Sequence, residues 1–287
     1  MSWQLITFLH LLAATAYSLQ YRKFTKKHHA HAEAATALMY LLVISPAGIL
    51  LALTLGDISL AFSPFTWLMI VLGGLFFAIG NIAAYKASSK IDAAQFSLLS
   101  NFRTIAAIGL TYIFLNEFLN FKQIIGTVIL FVATLMIANI HFNKKTLKFT
   151  SYSLLAFLSA FFFAAGIVNE KYLLNNMSFA TYLIVGWGFQ TVIMGLIAAK
   201  DHKDVSKIIR KKALGGIIQL GILRFISGVA FVYALNETTN TSLFASIISY
   251  KGALVVIGSY FILRERSHVL IKIISTVLAT IGLFLLI

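Results

Sequence analysis

The chain has 287 residues, of which 60% are hydrophobic and 11% charged, and a formal net charge of +14. Soluble domains carry about 25% charged residues, so too few charges are present to clothe a water-soluble globule. The excess of cations would point to nucleic acid in a soluble protein, but here it is concentrated in short connections between apolar runs, where it reads as membrane orientation.

Each apolar run is long enough to cross roughly 30 Å of hydrocarbon at about 1.5 Å per residue. Ten are present, at residues 3–20, 34–54, 66–86, 93–115, 122–141, 151–169, 179–199, 213–235, 241–262 and 268–287. An all-α polytopic membrane protein of ten transmembrane helices follows. The first run, "MSWQLITFLHLLAATAYSLQ", has no basic leader and is expected to be a retained helix rather than a cleaved signal peptide. After it, "KKHHAHAE" sets His28 and His31 one helical turn apart. The adjacent lysines repel divalent cations and no second ligand cluster follows, so no metal site is expected. Pro46 is expected to kink the second helix and Pro64 to sit in the loop after it. Small residues four apart, Gly80 and Ala84 or Ala156, Ala160 and Ala164, suit close helix packing. The absence of cysteine excludes thiol chemistry and disulfides and leaves the compartment open.

The fourth run, "LLSNFRTIAAIGLTYIFLNE", carries Arg103 near its centre. A charge at that depth costs roughly 2.5–3.5 kcal/mol on insertion scales and marks a functional site by default. Its significance grows once the chain is seen to repeat itself. Residues 67–139 shifted by 148 align without a gap on 215–287, with identities at Leu72/Leu220, Gly73/Gly221, Phe77/Phe225, Gly80/Gly228, Tyr85/Tyr233 and Glu117/Glu265. The first helix matches the sixth at a shift of 149, through Leu5/Leu154, Phe8/Phe157 and Ala16/Ala165. The halves are 1–142 and 143–287. Five helices per half is an odd number, so the halves are inverted relative to each other, a transporter architecture with substrate bound near the midplane.

Under that shift the mate of Arg103 is Lys251, in "SIISYKGALVVIGSYFILRE", and Arg224 is a third mid-helix cation. No carboxylate is expected at this depth, because Glu117, Glu170, Glu237 and Glu265 fall at the ends of the runs. Three cations without acidic partners need water, backbone carbonyls or an external anion. Either interface lies about 15 Å away, which makes snorkelling poor. A cavity lined by such charges selects anions or the carboxylate end of zwitterions. Tyr85, Tyr233, Gln95, Asn101, Ser100 and Ser249 could bond substrate or a neighbouring helix; His10 is either a core histidine or a site residue. Trp187 and Gln190 could wall the cavity. Glu117 and Glu265 are expected to cap or pair at helix ends, Glu265 between Arg264 and Arg266.

Orientation follows from Lys and Arg. Seventeen lie in odd-numbered loops, from Arg22 to Arg266, against Lys122 and Lys171 in even-numbered ones. Odd loops are therefore expected in the cytoplasm and both termini outside. The short loops suggest a prokaryotic inner membrane.

At "FLNEFLNFKQIIGTVILFVATLMI" and "ILRERSHVLIKIISTVLATIGLFLLI" the chain resembles the drug/metabolite transporter superfamily, in its EamA-type ten-helix branch. The pattern is an apolar helix ending in glutamate, a short polar turn, then a helix opening with glycine. Glu117 and Gly126 match in the first half; Glu265 matches in the second, where Ile274 replaces the glycine. The family often has proline in the middle of the fourth and ninth helices, where this chain has Arg103-Thr104 and Lys251-Gly252. Basic residues there look like the sugar-phosphate and nucleotide-sugar branches, in which they hold phosphate. Members usually place both termini in the cytoplasm, the reverse of the charge count.

The expected function is secondary transport of a small anionic or zwitterionic metabolite by alternating access, as an exporter or exchanger. Its alternatives are a flippase of a lipid-linked substrate, a drug efflux transporter of the same fold, and an anion channel. No GK[ST] loop exists to bind ATP. The expected lack of a mid-membrane acid argues against proton-driven efflux. No nucleophile, carboxylate pair or metal cluster supports an enzyme. No cofactor is implied, the partners are the substrate and the lipid bilayer, and a homodimer is open.

Overall fold

The computed structural model describes residues 3–28, 32–115, 120–138, 150–199, 205–206, 213–238, 240–265 and 268–286, and among them every regular element is helical. We number ten helices in chain order. In the first half, α1 is Trp3–Lys27, and α2 joins Ala32–Met39, a π-helical turn Tyr40–Ile44, and Ser45–Leu55. Next come α3, Pro64–Ser88; α4, split into Ala93–Leu99 and Phe102–Leu115; and α5, Phe121–Ala138. In the second half, α6 is Ser151–Leu174, α7 is Phe179–Ala199 and α8 is Leu214–Glu237. The split recurs in α9, Thr241–Ser249 and Lys251–Phe261, which is followed by α10, Val269–Leu286.

Helices α2, α3, α6, α7 and α8 are each long and apolar enough to cross a membrane unaided. Large apolar side chains point outward, among them Leu50 at 66% and Phe284 at 67% exposure. A surface of that kind belongs against lipid rather than water.

Several helix ends differ from the sequence expectation for one physical reason: charges taken as terminators lie inside helices. α1 continues past residue 20 to Lys27 with Arg22 buried, and α6 continues past residue 169 to Leu174 with Glu170 and Lys171 buried. Pro64 opens α3 instead of lying in the loop. Its missing N–H costs nothing at the first helical position, and the Ser63 hydroxyl caps the Thr66 amide at 3.1 Å. Pro46 follows the π turn of α2, in which the Ser45 amide bonds the Tyr40 carbonyl. The boundary at 142/143, residues 139–141 of the fifth run, His31, Glu117 and Arg266 lie outside the described residues.

Contacts follow the repeat. α1 packs along α8 and α3 along α6, while α2 packs on α7, α4 on α9, and α5 along α10. Exchanging the halves turns the first pair into the second and returns the other three to themselves. At the α3–α6 seam Ala156, Ala160 and Ala164 are buried, a Cβ on Gly80 would meet the Phe163 ring at 3.3 Å, and one on Gly166 the Phe77 ring at 2.9 Å. At the α5–α10 seam a Cβ on Gly282 would meet the Gly126 carbonyl at 2.8 Å. The close approach thus uses Gly282 of α10, and Ile274 faces outward at 40% exposure.

The interruptions of α4 and α9 cross one another. In α4 the bonds tighten to three-residue spacing: Asn101 N to Leu98 O, Arg103 N to Ser100 O at 3.0 Å, and Thr104 N to Asn101 O at 2.9 Å. α9 shows the same in Tyr250 N to Ile247 O and Ala253 N to Tyr250 O. Hydroxyls join the two helices. Thr104 pairs with Ser249, and Thr111 Oγ1 lies 3.0 Å from Ser242 Oγ.

Candidate substrate cavity

A cavity of about 130 Å³ lies between the halves, walled by α1, α2, α3, α4, α6, α7, α8 and α9. Arg103 and Lys251 sit in the first turns that follow the two interruptions, so helix geometry delivers both to its wall. Each half-helix also directs its positive N-terminal end there. Arg224 enters from the middle of α8, over the Tyr17 ring at 5.7 Å and beside the Tyr40 hydroxyl. The three cations interact with one another and with His10. Among the described residues no carboxylate lies within ion-pair distance of any of them. Arg103 Nε is buried without a hydrogen-bond partner.

The other residues singled out from sequence divide in two. His10, Trp187, Gln190 and Ser100 line the cavity. His10 is also tied down, its Nδ1 2.8 Å from the Ser227 carbonyl, and Trp187 stands edge-on to Phe225. Tyr85, Tyr233, Gln95, Asn101 and Ser249 lie off the cavity wall. The Tyr85 hydroxyl donates to the His28 carbonyl at 2.8 Å, Tyr233 stands edge-on to Phe179, and Asn101 fits against Gly252. Metal ligands are not gathered: no cluster of three or more His, Cys, Asp or Glu exists among the described residues.

Sequence reasoning missed Glu170. It is 3% exposed, lies inside α6, lines the same cavity as the cations, and sits beside the Tyr182 hydroxyl. Glu170 lies one turn before the end of α6, near the helix end expected from sequence, yet it faces the cavity, so a carboxylate is available there and proton coupling is not excluded on that ground. Tyr182, contributed by α7, accommodates that carboxylate. Ser97, Tyr17 and Tyr40 also line the cavity unannounced.

Arg22, in the cavity wall, belongs to an ion cluster. Arg22 of α1 bonds Glu265 Oε1 at 3.1 Å and the Ser88 carbonyl at 2.5 Å, and lies 3.9 Å from Asp92. Glu265 Oε2 accepts the Ala93 amide at 2.8 Å, and Lys272 holds Asp92 at 2.9 Å. Glu265 therefore caps α4 and pairs with α1, a partner 243 positions away in the chain. Arg22 and Lys171 are repeat mates, and Lys171 binds the Leu235, Asn236 and Thr238 carbonyls at the end of α8 as Arg22 binds Ser88 at the end of α3.

A model of the EamA-like transporter family matches the chain twice, over residues 1–139 and 150–287. The chain belongs to the EamA-like transporter family. It is an integral, multi-pass membrane protein, and its family's members are transporters. A solved structure titled "Crystal structure of protein" is similar over 99% of this chain and 96% of its own, at 15% identity and a TM-score of 0.66, a likeness of fold. No curated protein matches the sequence.

Proposed function

We propose that this EamA-like protein is a secondary transporter of a small anionic or zwitterionic metabolite. The observation that carries the reading is one cavity lined by Arg103, Lys251 and Arg224, none of them ion-paired among the described residues. Gathering three half-buried cations in one cavity is tolerable where an anion completes the set. Glu170 in the same wall gives an ammonium group a partner and favours the zwitterionic half of the class. At about 10–15 Å³ per water-sized occupant, the volume admits roughly ten non-hydrogen atoms. That supports a metabolite over the bulky head group of a lipid-linked substrate.

Alternating access is supported by the paired helices of the inverted halves and by the Arg22 cluster, which ties α1, α3, α4 and α10 together at the cavity's edge. By the charge count the odd loops face the cytoplasm of a prokaryotic inner membrane, and repeats 1–142 and 143–287 are the rocking units. An inside-negative potential expels anions with about 2.3 kcal/mol per charge per 100 mV, so export or anion exchange needs no coupling ion. The test is flux in proteoliposomes. Uptake of carboxylates or phosphates stimulated by the same anion inside, and lost in Lys251→Gln, is expected. Uptake of organic cations unaffected by Lys251→Gln would sink the reading, and anion flux without counter-substrate stimulation would make the protein a channel.

A further inference from the structure

Within the cavity, the α4 wall differs from the α9 wall. The three-residue spacing of the α4 interruption draws residues three apart toward one face, and Ser97, Ser100 and Arg103 all line the cavity. Ser100 is committed, its hydroxyl donating to the Phe96 carbonyl at 2.7 Å. Ser97 is not: it is 4% exposed, and its Oγ is buried without a partner, as is Arg103 Nε. Two unsatisfied buried groups on one face of a helix are costly unless a ligand meets them. The repeat supplies no equivalent on α9, where the mates of Ser97 and Ser100 are Ala245 and Ile248. Ser249, the mate of Asn101, spends its hydroxyl on the Ala245 carbonyl at 3.0 Å and on Thr104.

Building on the transport reading above, we propose that Ser97 and Arg103 form an oxyanion subsite on α4. The acid group of the substrate is held off the pseudo-twofold axis by the Ser97 hydroxyl and the Arg103 guanidinium, with Lys251 reaching across from α9 as a point charge. Separate hydroxyl and guanidinium donors suit an acid with two or more acceptor oxygens and favour it over a halide. The shared chemistry is that of a carboxylate or a phosphate.

The experiment is thermal stabilisation of the purified full chain by acetate, benzoate, inorganic phosphate and chloride at constant ionic strength. In the wild type at least one oxyanion is expected to stabilise more than chloride, and which one does so separates carboxylate from phosphate. Ser97→Ala is expected to weaken that oxyanion's apparent Kd by roughly tenfold or more, leaving the chloride response unchanged. Ser97→Thr restores the hydroxyl and the affinity. Arg103→Lys keeps the charge but loses the oxyanion preference, which tests the subsite even should Ser97→Ala fail to fold. Wild-type affinity in folded Ser97→Ala, or equal stabilisation by oxyanions and chloride, would overturn the subsite while the transport reading stands. No stabilisation by any of the four would overturn both.

Discussion

At the scale of single residues, the protein separates groups that hold the bundle from groups that line its cavity. Lys251 and Arg103 have no acidic partner among the described residues, so their neutralisation removes little from the fold and much from the affinity for anions. Lys251→Gln and Arg103→Gln are expected to weaken anion binding by about ten- to a hundredfold, the range for hydrogen bonds to charged groups, as read in ligand-induced melting shifts. Tyr85 behaves oppositely. Tyr85→Phe removes its bond to the His28 carbonyl and is expected to cost about 1 kcal/mol of stability with anion affinity unchanged. Glu170→Gln tests the zwitterionic half of the class. It is expected to erase any preference for an amino-bearing carboxylate over the same skeleton without its amine. A preference that survives would place the ammonium elsewhere.

Among the elements, the interruptions of α4 and α9 bring Arg103 and Lys251 to the cavity wall, and an ion cluster lies at the cavity's edge. Arg22, Asp92, Glu265 and Lys272 join four chain segments there. Under the sequence shifts their repeat mates are Lys171, Asn240, Glu117 and Ile124, so one carboxylate and one cation have no charged counterpart. We expect Asp92→Asn to loosen the Arg22 cluster. The native chain has no cysteine, so Ala14→Cys in the cavity wall reports access cleanly. Faster maleimide labelling from the odd-loop side in Asp92→Asn is the expected result, and an unchanged rate would show that the cluster does not close the cavity. At the α5–α10 seam, Gly282→Leu is expected to lower the melting temperature strongly, because its Cβ would meet the Gly126 carbonyl and the Leu130 amide below 3 Å.

For the whole molecule, the ten helices and the inverted repeat were legible because apolar length and a gapless shift of 148 are properties of the chain itself. Arg103 and Lys251 were legible because a charge deep in an apolar run has a high cost wherever it sits. Helix ends at Arg22, Glu170 and Lys171 were not legible. Their partners, Glu265, Tyr182 and the carbonyls ending α8, come from distant segments, and one sequence does not display those meetings. Tyr85 and Tyr233, repeat mates that could bond substrate or a neighbouring helix, lie off the cavity wall, Tyr85 on the His28 carbonyl and Tyr233 edge-on to Phe179, and identity under the shift registers any shared constraint. Orientation belongs to this scale too. A cysteine at Lys144 in an odd loop is expected to react with an impermeant maleimide only after the membrane is opened, and labelling in intact cells would reverse the assignment.

The central claim is that Arg103, Lys251 and Arg224 form an anion site between the repeats. A thermal-shift screen of purified protein against metabolite classes, run beside Lys251→Gln, tests it most directly. The account predicts stabilisation by carboxylates or phosphates that disappears in Lys251→Gln. Stabilisation by organic cations, or by anions equally in both proteins, would contradict it and make the cations structural.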